Sequence, residues 1–212
     1  MKKIIVLLIL GSVMLAVSAP VKAQEEKNFK FTVKTNPLAA LGGPIWAVIV
    51  PLTGEYKVLF EAAVSEKSSI QVGASYLGPS LLINLDQLAS EEGEISGVRT
   101  SGFRGQGMFK YFLSRDLQAP EGFYLGPHFS YAAATIENKD NSSNNIKAKK
   151  LNINAIVGYQ LITSGGFTLD IFTGMGFVSK KWEIAGEEWD NEVFKDRTSV
   201  GVPFGVSFGY AF

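Results

Sequence analysis

The chain has 212 residues and no cysteine, and its 20 Lys and Arg residues balance 20 Asp and Glu residues, so the formal net charge is zero. This length supports one domain with a sizeable core, and the balanced charge gives no electrostatic reason to expect a nucleic-acid partner. Without cysteine there are no disulfides, no thiol catalysis and no lipid-modified cysteine. The fold itself must therefore supply the stability.

The first 23 residues have the pattern of a secretory signal. A basic start, Met1–Lys3, precedes an apolar run, Ile4–Val17, and small residues in Val21–Ala23 suit a signal peptidase. The run is too short to favour a retained membrane anchor. We therefore predict cleavage after Ala23 and a mature domain over residues 24–212.

In the mature chain, apolar and polar residues alternate in segment after segment, which predicts β-strands. The opening segment alternates Phe29, Phe31 and Val33 with Lys and Thr. A short polar turn after Val64 predicts a hairpin between the second and third segments. The eight predicted strands cover 29–36, 55–65, 69–79, 103–114, 123–135, 151–161, 167–179 and 198–212.

Strands of this kind build either of two barrels with opposite faces. A soluble lipocalin-like barrel is apolar inside, whereas an outer-membrane barrel is apolar outside and polar inside. The last strand favours the membrane barrel, because its second face is a charge-free row of small residues that suits a narrow interior better than water. The bulky face of that strand contains Val200, Val202, Phe204, Val206, Phe208, Tyr210 and Phe212, and the small face contains Ser199, Gly201, Pro203, Gly205, Ser207, Gly209 and Ala211.

Connection lengths and aromatic residues favour the same choice. Short or moderate connections (65–69, 114–122, 163–166) alternate with long polar ones (81–102, 137–147, 180–196), which is the outer-membrane pattern. Aromatic residues collect near both strand ends, as membrane interfaces require. The predicted girdle at the short-turn end contains Phe29, Tyr111, Phe123, Tyr159, Phe167, Tyr210 and Phe212, and that at the long-loop end contains Trp46, Tyr76, Tyr131, Phe177 and Trp182.

The predicted fold is therefore all-β: an eight-stranded antiparallel transmembrane β-barrel. The terminal "FGVSFGYAF", with the segments "KTNPLAAL" and "IQVGASYLGP", resembles small bacterial outer-membrane proteins of the OmpA/OmpX/OmpW-like class, in particular a poorly characterised group of them in Gram-negative bacteria. The resemblance covers about Phe29 to Phe212. It implies location in the outer membrane, a lipid bilayer with lipopolysaccharide as surroundings, and recognition of Tyr210 and Phe212 by the barrel-assembly machinery.

Seven charged residues fall on predicted lumen positions. Unpaired charges inside a narrow barrel are costly, so we expect them to pair across strands and to plug the lumen. A functional alternative is a narrow ion path, although eight strands leave little bore. The predicted charge network contains Lys34, Glu55, Lys57, Glu61, Arg104, Lys110 and Asp170.

His128 is the only histidine, and it lies two residues before Ser130. The pair is similar to the catalytic His-x-Ser of outer-membrane lipid A deacylases, in which the His activates the Ser and a carboxylate orients the His. Glu137 is the nearest downstream carboxylate, but its spacing does not match that family. Alternation also directs His128 and Ser130 into the lumen, unless Pro127 shifts the strand locally. We therefore predict no catalytic residues, and retain His128, Ser130 and Glu137 as weak candidates.

The long connections carry the best prospect of a specific role, because outward loops on a rigid scaffold are free to vary. The segment 182–196 combines two Trp with acidic residues and is a candidate for binding a cation or a partner, while the apolar segment 41–54 either folds over the barrel mouth or extends the strands. We expect a monomer with a structural or surface-interaction role and without cofactor or metal. The alternatives are a narrow transport barrel for small or hydrophobic molecules and the deacylase.

Overall fold

The computed structural model describes residues 29–40, 53–79, 98–114, 117–138, 145–185 and 196–212. The predicted signal sequence, Trp46 and residues 186–195 lie outside the described residues. Within the described residues, nine strands and one helical turn follow one another: β1 (Phe31–Thr35), α1 (Pro37–Ala40), β2 (Thr53–Ser65), β3 (Ser68–Pro79), β4 (Val98–Phe112), β5 (Gly122–Asn138), β6 (Asn145–Ile162), β7 (Phe167–Ala185), β8 (Arg197–Gly201) and β9 (Phe204–Ala211).

The strands form a closed antiparallel barrel of eight positions, as predicted. Each strand from β1 to β7 pairs with the next, β9 pairs with β1, and both β8 and β9 pair with β7. Closure joins the two ends of the described chain, because the amides of Lys30 and Phe31 donate to the carbonyl of Phe212, and the Phe212 amide donates to the carbonyl of Phe31. A closed barrel leaves no unpaired strand edge.

The eighth position of the barrel is an interrupted strand. β8 and β9 pair with β7 in one unbroken register, from Gly176↔Gly201 to Thr173↔Phe204, with Val202 and Pro203 between them. Proline has no amide to donate, so the ladder stops there. The Thr173 hydroxyl donates to the Pro203 carbonyl at 3.1 Å and holds the two strands together across the break.

Three strands extend further than the sequence indicates. β5, β6 and β7 have 17, 18 and 19 residues, and they pair with one another up to Glu137, Asn145 and Ala185. The Lys-rich start of β6 and Trp182–Ala185 therefore lie in strands, whereas the sequence assigned them to loops. Their polar side chains do not show the apolar–polar alternation of a strand, but their backbones pair with the neighbouring strands.

The outer face is apolar and the inner face is polar, which is the reverse of a lipocalin-like barrel. Five of the seven large residues on the bulky face of the last strand are exposed, with Val202 at 74%, and the other two are half-buried; Met175 on β7 is 65% exposed. Buried positions carry Lys34, Glu61, Lys110 and Asp170 instead. Of the described girdle residues, Trp182 is the exception, because it alternates in register with the inward-facing Val178 rather than with the outward Phe177. No helix among the described residues is long and apolar enough to cross a membrane.

The lower end of the barrel, where the short turns lie, is closed by apolar packing. Met108, Phe112, Tyr124 and Ile156 form a buried cluster, and Ala119 from the turn between β4 and β5 joins it. That turn is fastened to the β2–β3 turn, because the Ala119 amide donates to the Glu66 carbonyl at 2.8 Å. The lumen is thus sealed from below by side chains and by one folded connection.

Small residues on the inner face make room for large neighbours. A Cβ at Gly205 would overlap the Phe172 ring, and one at Gly158 would lie 2.5 Å from the Tyr124 hydroxyl oxygen. The sequence anticipated this arrangement for the small face of the last strand. The fit is close because an eight-stranded barrel is just wide enough for side chains to fill.

We expect Gly205→Ala to lower the free energy of unfolding by about 1–3 kcal/mol, since overpacking costs this much in a filled interior. The matched control is Gly107→Ala, because a Cβ at Gly107 meets no atom within 4 Å. Denaturant titration of the barrel refolded in detergent would measure both. Equal losses in the two variants would contradict the close fit at Phe172.

Candidate functional site

The lower lumen contains a buried network of two lysines and two carboxylates. Lys34 is on β1, Glu61 on β2, Lys110 on β4 and Asp170 on β7, and their side chains are between 0% and 2% exposed. Alternation directs each of these side chains inward, and their charged ends meet in the lumen although no two of the four are direct cross-strand partners. The sequence predicted all four as lumen charges, and the structure brings them into contact.

Both lysines bind the same three oxygen atoms. Lys34 Nζ lies 2.5 Å from Glu61 Oε2, 2.8 Å from Gln160 Oε1 and 2.7 Å from Asp170 Oδ2. Lys110 Nζ lies 3.1, 2.7 and 2.7 Å from these oxygens in the same order. An ammonium has three protons to donate, so each lysine is fully satisfied. Two positive and two negative charges leave the network neutral.

Neighbouring hydroxyl groups satisfy the remaining carboxylate oxygens. The Tyr124 hydroxyl donates to Asp170 Oδ1 at 2.7 Å, and the Ser69 hydroxyl donates to Glu61 Oε1. Lys110 Nζ also lies 4.4 Å from the centre of the Tyr124 ring, in a cation–π contact. With Gln160 and these two residues, the network connects the seven strands from β1 to β7.

The other three predicted lumen charges form a second, smaller group higher in the barrel. Glu55 pairs with Lys57 at 3.2 Å and with Arg104, and the Ser75 hydroxyl donates to Glu55 at 2.7 Å. These side chains are 13–22% exposed. The predicted seven-residue constellation is therefore two separate groups, one sealed and one partly open.

His128 and Ser130 face the lumen and are 8% and 2% exposed. Pro127 does not shift the register, since β5 pairs with β6 in one unbroken series from Gly122↔Gln160 to Glu137↔Asn145. It does coincide with a gap in the pairing of β5 to β4, between Met108↔His128 and Tyr111↔Leu125. Both candidates therefore point away from the outer surface.

No catalytic arrangement is assembled around His128 by the described residues. Its Nδ1 lies 3.0 Å from the Asn154 side-chain nitrogen, and Ser130 accepts a hydrogen bond from Asn152 at 2.7 Å. A carboxamide thus stands where a catalytic histidine needs its orienting carboxylate. Glu137 lies on β5 at an odd-numbered position, on the face opposite to His128.

Sequence reasoning missed three members of the lower network, Ser69, Tyr124 and Gln160, and three cations of the upper lumen. All three occupy inward positions of their strands, but alternation gives no indication of which charges they contact. Lys150, Lys180 and Arg197 lie in segments that were assigned to loops or to loop edges. No group of three or more His, Asp or Glu residues that would hold a metal ion occurs in the described part of the chain.

We expect Asp170→Asn to destabilise the barrel by about 3–5 kcal/mol, because it leaves a buried ammonium without a compensating charge. Denaturant-dependent refolding into detergent or lipid vesicles would measure the loss. Adding Lys110→Met to Asp170→Asn restores neutrality and is expected to recover part of that stability.

The matched control is Glu183→Gln, which breaks the exposed pair between Lys149 and Glu183. Exposed pairs contribute little because water and salt screen them. If Glu183→Gln lowers the free energy of unfolding as much as Asp170→Asn does, the buried network contributes no more to stability than an exposed ion pair.

Comparison of the chain with protein-family models finds no match, and comparisons with curated proteins and with solved structures find none either. The resemblance to small outer-membrane barrels stays a prediction from the sequence. What the molecule offers chemically is a neutral sealed plug below, a partly open polar chamber above, and an apolar outer surface. The function has to follow from those three features.

Proposed function

We propose that this chain is an integral outer-membrane β-barrel of a Gram-negative bacterium, exported by its signal sequence, with a structural or surface-interaction role. The observation that carries the proposal is the inversion of the faces, apolar outside and charged inside. Exposed Val, Phe, Ile and Met on every side of a closed barrel would be unfavourable in water. Hydrocarbon accepts such a surface, and a closed barrel satisfies its backbone there.

The outer aromatic residues support the same placement. Tyr111, Phe123, Tyr159, Tyr210 and Phe212 are 43–58% exposed near the short-turn end. At the other end, Tyr76, Tyr131 and Phe177 are 38–66% exposed. Aromatic side chains at these two levels match the interfaces of a bilayer. A monomer suffices, because closure leaves no strand edge to pair with another copy.

The sealed lower lumen supports a barrel that does not conduct, rather than the narrow transport alternative. Two ammonium groups and two carboxylates fill the bore at one level, and the cluster around Phe112 lies next to them. A solute would have to break a buried network in which every charge is paired in order to pass, which costs several kcal/mol. The lipid A deacylase alternative gains no support, because His128 and Ser130 face the lumen with amide partners.

In a cell that exports it, we expect the protein in the outer-membrane fraction, and we expect unboiled samples to migrate as a compact, heat-modifiable band in detergent gels. Deleting Phe212 should sharply reduce the folded band, since it removes the closing hydrogen bonds to Lys30 and Phe31. Phe204→Ala is the control, because Phe204 is exposed on the same strand and keeps its backbone pairs. Extraction of the native protein by aqueous buffer alone would refute membrane insertion.

In planar lipid bilayers, we expect the purified barrel to show no stepwise ion conductance, with a large-bore porin as the positive control. The double variant Lys110→Ser/Asp170→Ser removes one charge of each sign from the plug and should create small conductance steps. Lys57→Ser, in the open upper lumen, should remain silent. Conductance of the wild-type barrel would support the transport alternative.

A further inference from the structure

The upper lumen carries a row of cations that the proposed function does not use. Its members are directly paired across consecutive strands and share one face, so we call them the cationic row. Following the register from β2 to β8, the row reads Lys57, Ser75, Arg104, Ala132, Lys150, Lys180 and Arg197. Five of these seven positions are Lys or Arg.

The row belongs to the inner face of the barrel. Its uncharged members, Ser75 and Ala132, are 6% and 5% exposed. Lys150 alternates with Asn152 and Asn154, which line the upper lumen. Lys180 and Arg197 continue the row at the rim, where their side chains are exposed.

The row has an excess of positive charge among the described residues. Glu55 is the one described carboxylate that forms ion pairs with it, through Lys57 and Arg104. Lys150 stands directly opposite Lys180, and Lys180 stands directly opposite Arg197. Like charges directly opposite each other destabilise a sheet. The lower network, by contrast, is balanced charge for charge.

A cavity of about 270 Å³ lies on the row. Lys57, Arg104 and Lys150 contribute to its lining, together with His128, Ser130 and Asn152. Ammonium, guanidinium, hydroxyl and carboxamide groups are the donors that bind oxyanions, and charge-assisted bonds to them are the strong ones. The volume is at the small end for a ligand site, which suits a phosphate group with at most a short organic substituent.

We propose that this chamber binds a small soluble phosphate, either inorganic phosphate or a short phosphomonoester. The charge excess supplies the attraction, and a dianion between Lys150 and Arg104 relieves the repulsion along the row. A lipid headgroup is the other source of a phosphomonoester, but the row faces the lumen and the outer surface beside it is apolar. The proposal goes beyond the proposed function and does not depend on it, because a detergent-solubilised barrel contains the same chamber.

The test is calorimetric titration of the barrel in zwitterionic detergent, with inorganic phosphate and glycerol 3-phosphate as probes and chloride at equal ionic strength as the reference. We expect phosphate, but not chloride, to bind and to raise the thermal midpoint of the wild type. Lys150→Gln/Lys180→Gln should weaken phosphate binding at least about tenfold, since it removes one charge-assisted contact in the chamber and the rim cation directly opposite it. Without phosphate, this variant should be no less stable than the wild type.

The matched control is Lys149→Gln/Lys181→Gln. These lysines are also directly opposite each other on β6 and β7, one position away and on the other face. The control removes the same charge and should bind phosphate as the wild type does. Equal weakening of phosphate binding in both double variants would mean that net charge alone explains the effect. It would overturn the proposal that phosphate binds in the chamber. If Lys150→Gln/Lys180→Gln does not refold, the single variants Lys150→Gln and Lys149→Gln take the places of the two double variants.

Two further results would overturn the proposal. The first is a wild-type barrel that binds phosphate no better than chloride, which would mean that the row is neutralised within the chain. The second is displacement of bound phosphate when the barrel is moved from phosphatidylcholine nanodiscs into nanodiscs containing phosphatidic acid. That displacement would make a lipid headgroup the ligand. Phosphate binding that is unchanged between the two nanodiscs supports a soluble ligand.

Discussion

The buried ion network is the interaction on which the rest of this barrel depends. Two ammonium groups share the same three oxygens, from Glu61, Gln160 and Asp170, and no proton of either lysine is left without an acceptor. Desolvating four charges is costly, and only complete pairing offsets the cost. Because the partners come from distant strands, the pairing forms only when the barrel is closed in the correct register. The network therefore selects the closed barrel over slipped alternatives.

Such a network demands space, and glycines on the inner face provide it. A side chain at Gly209 would overlap Lys34, as one at Gly205 would overlap Phe172. The small face of the last strand is thus the counterpart of the large side chains that enter the lumen from β1 and β7. At Val202 and Pro203 the last strand loses two ladder pairings with β7, but its register with β7 is unchanged.

Alternation of residue types was enough to predict the closed barrel, its faces and the four lower charges, because a strand period of two fixes which side chains share a face. Alternation does not state how neighbouring strands are staggered, so the division into two groups of lumen charges could not be predicted. Tyr124 was missed for the same reason: its role depends on its distance from Asp170, which lies 46 positions later. Polar strand ends such as Lys147–Lys150 resemble loops in sequence, and only pairing with β5 and β7 identifies them as strand.

The described charges are balanced in the lower half of the lumen and predominantly positive in the upper half. This contrast suggests a stabilising role for the lower half and ligand binding in the upper half. In the lower half every charge has an intramolecular partner and the side chains are sealed, so nothing there is left to bind a solute. In the upper half the described cations outnumber their one carboxylate, they repel one another across β6, β7 and β8, and a cavity adjoins them. Among the described residues, charge is neutralised completely at one level of the lumen and is left in excess at another. Stability alone does not require that excess, whereas attraction of an anion does.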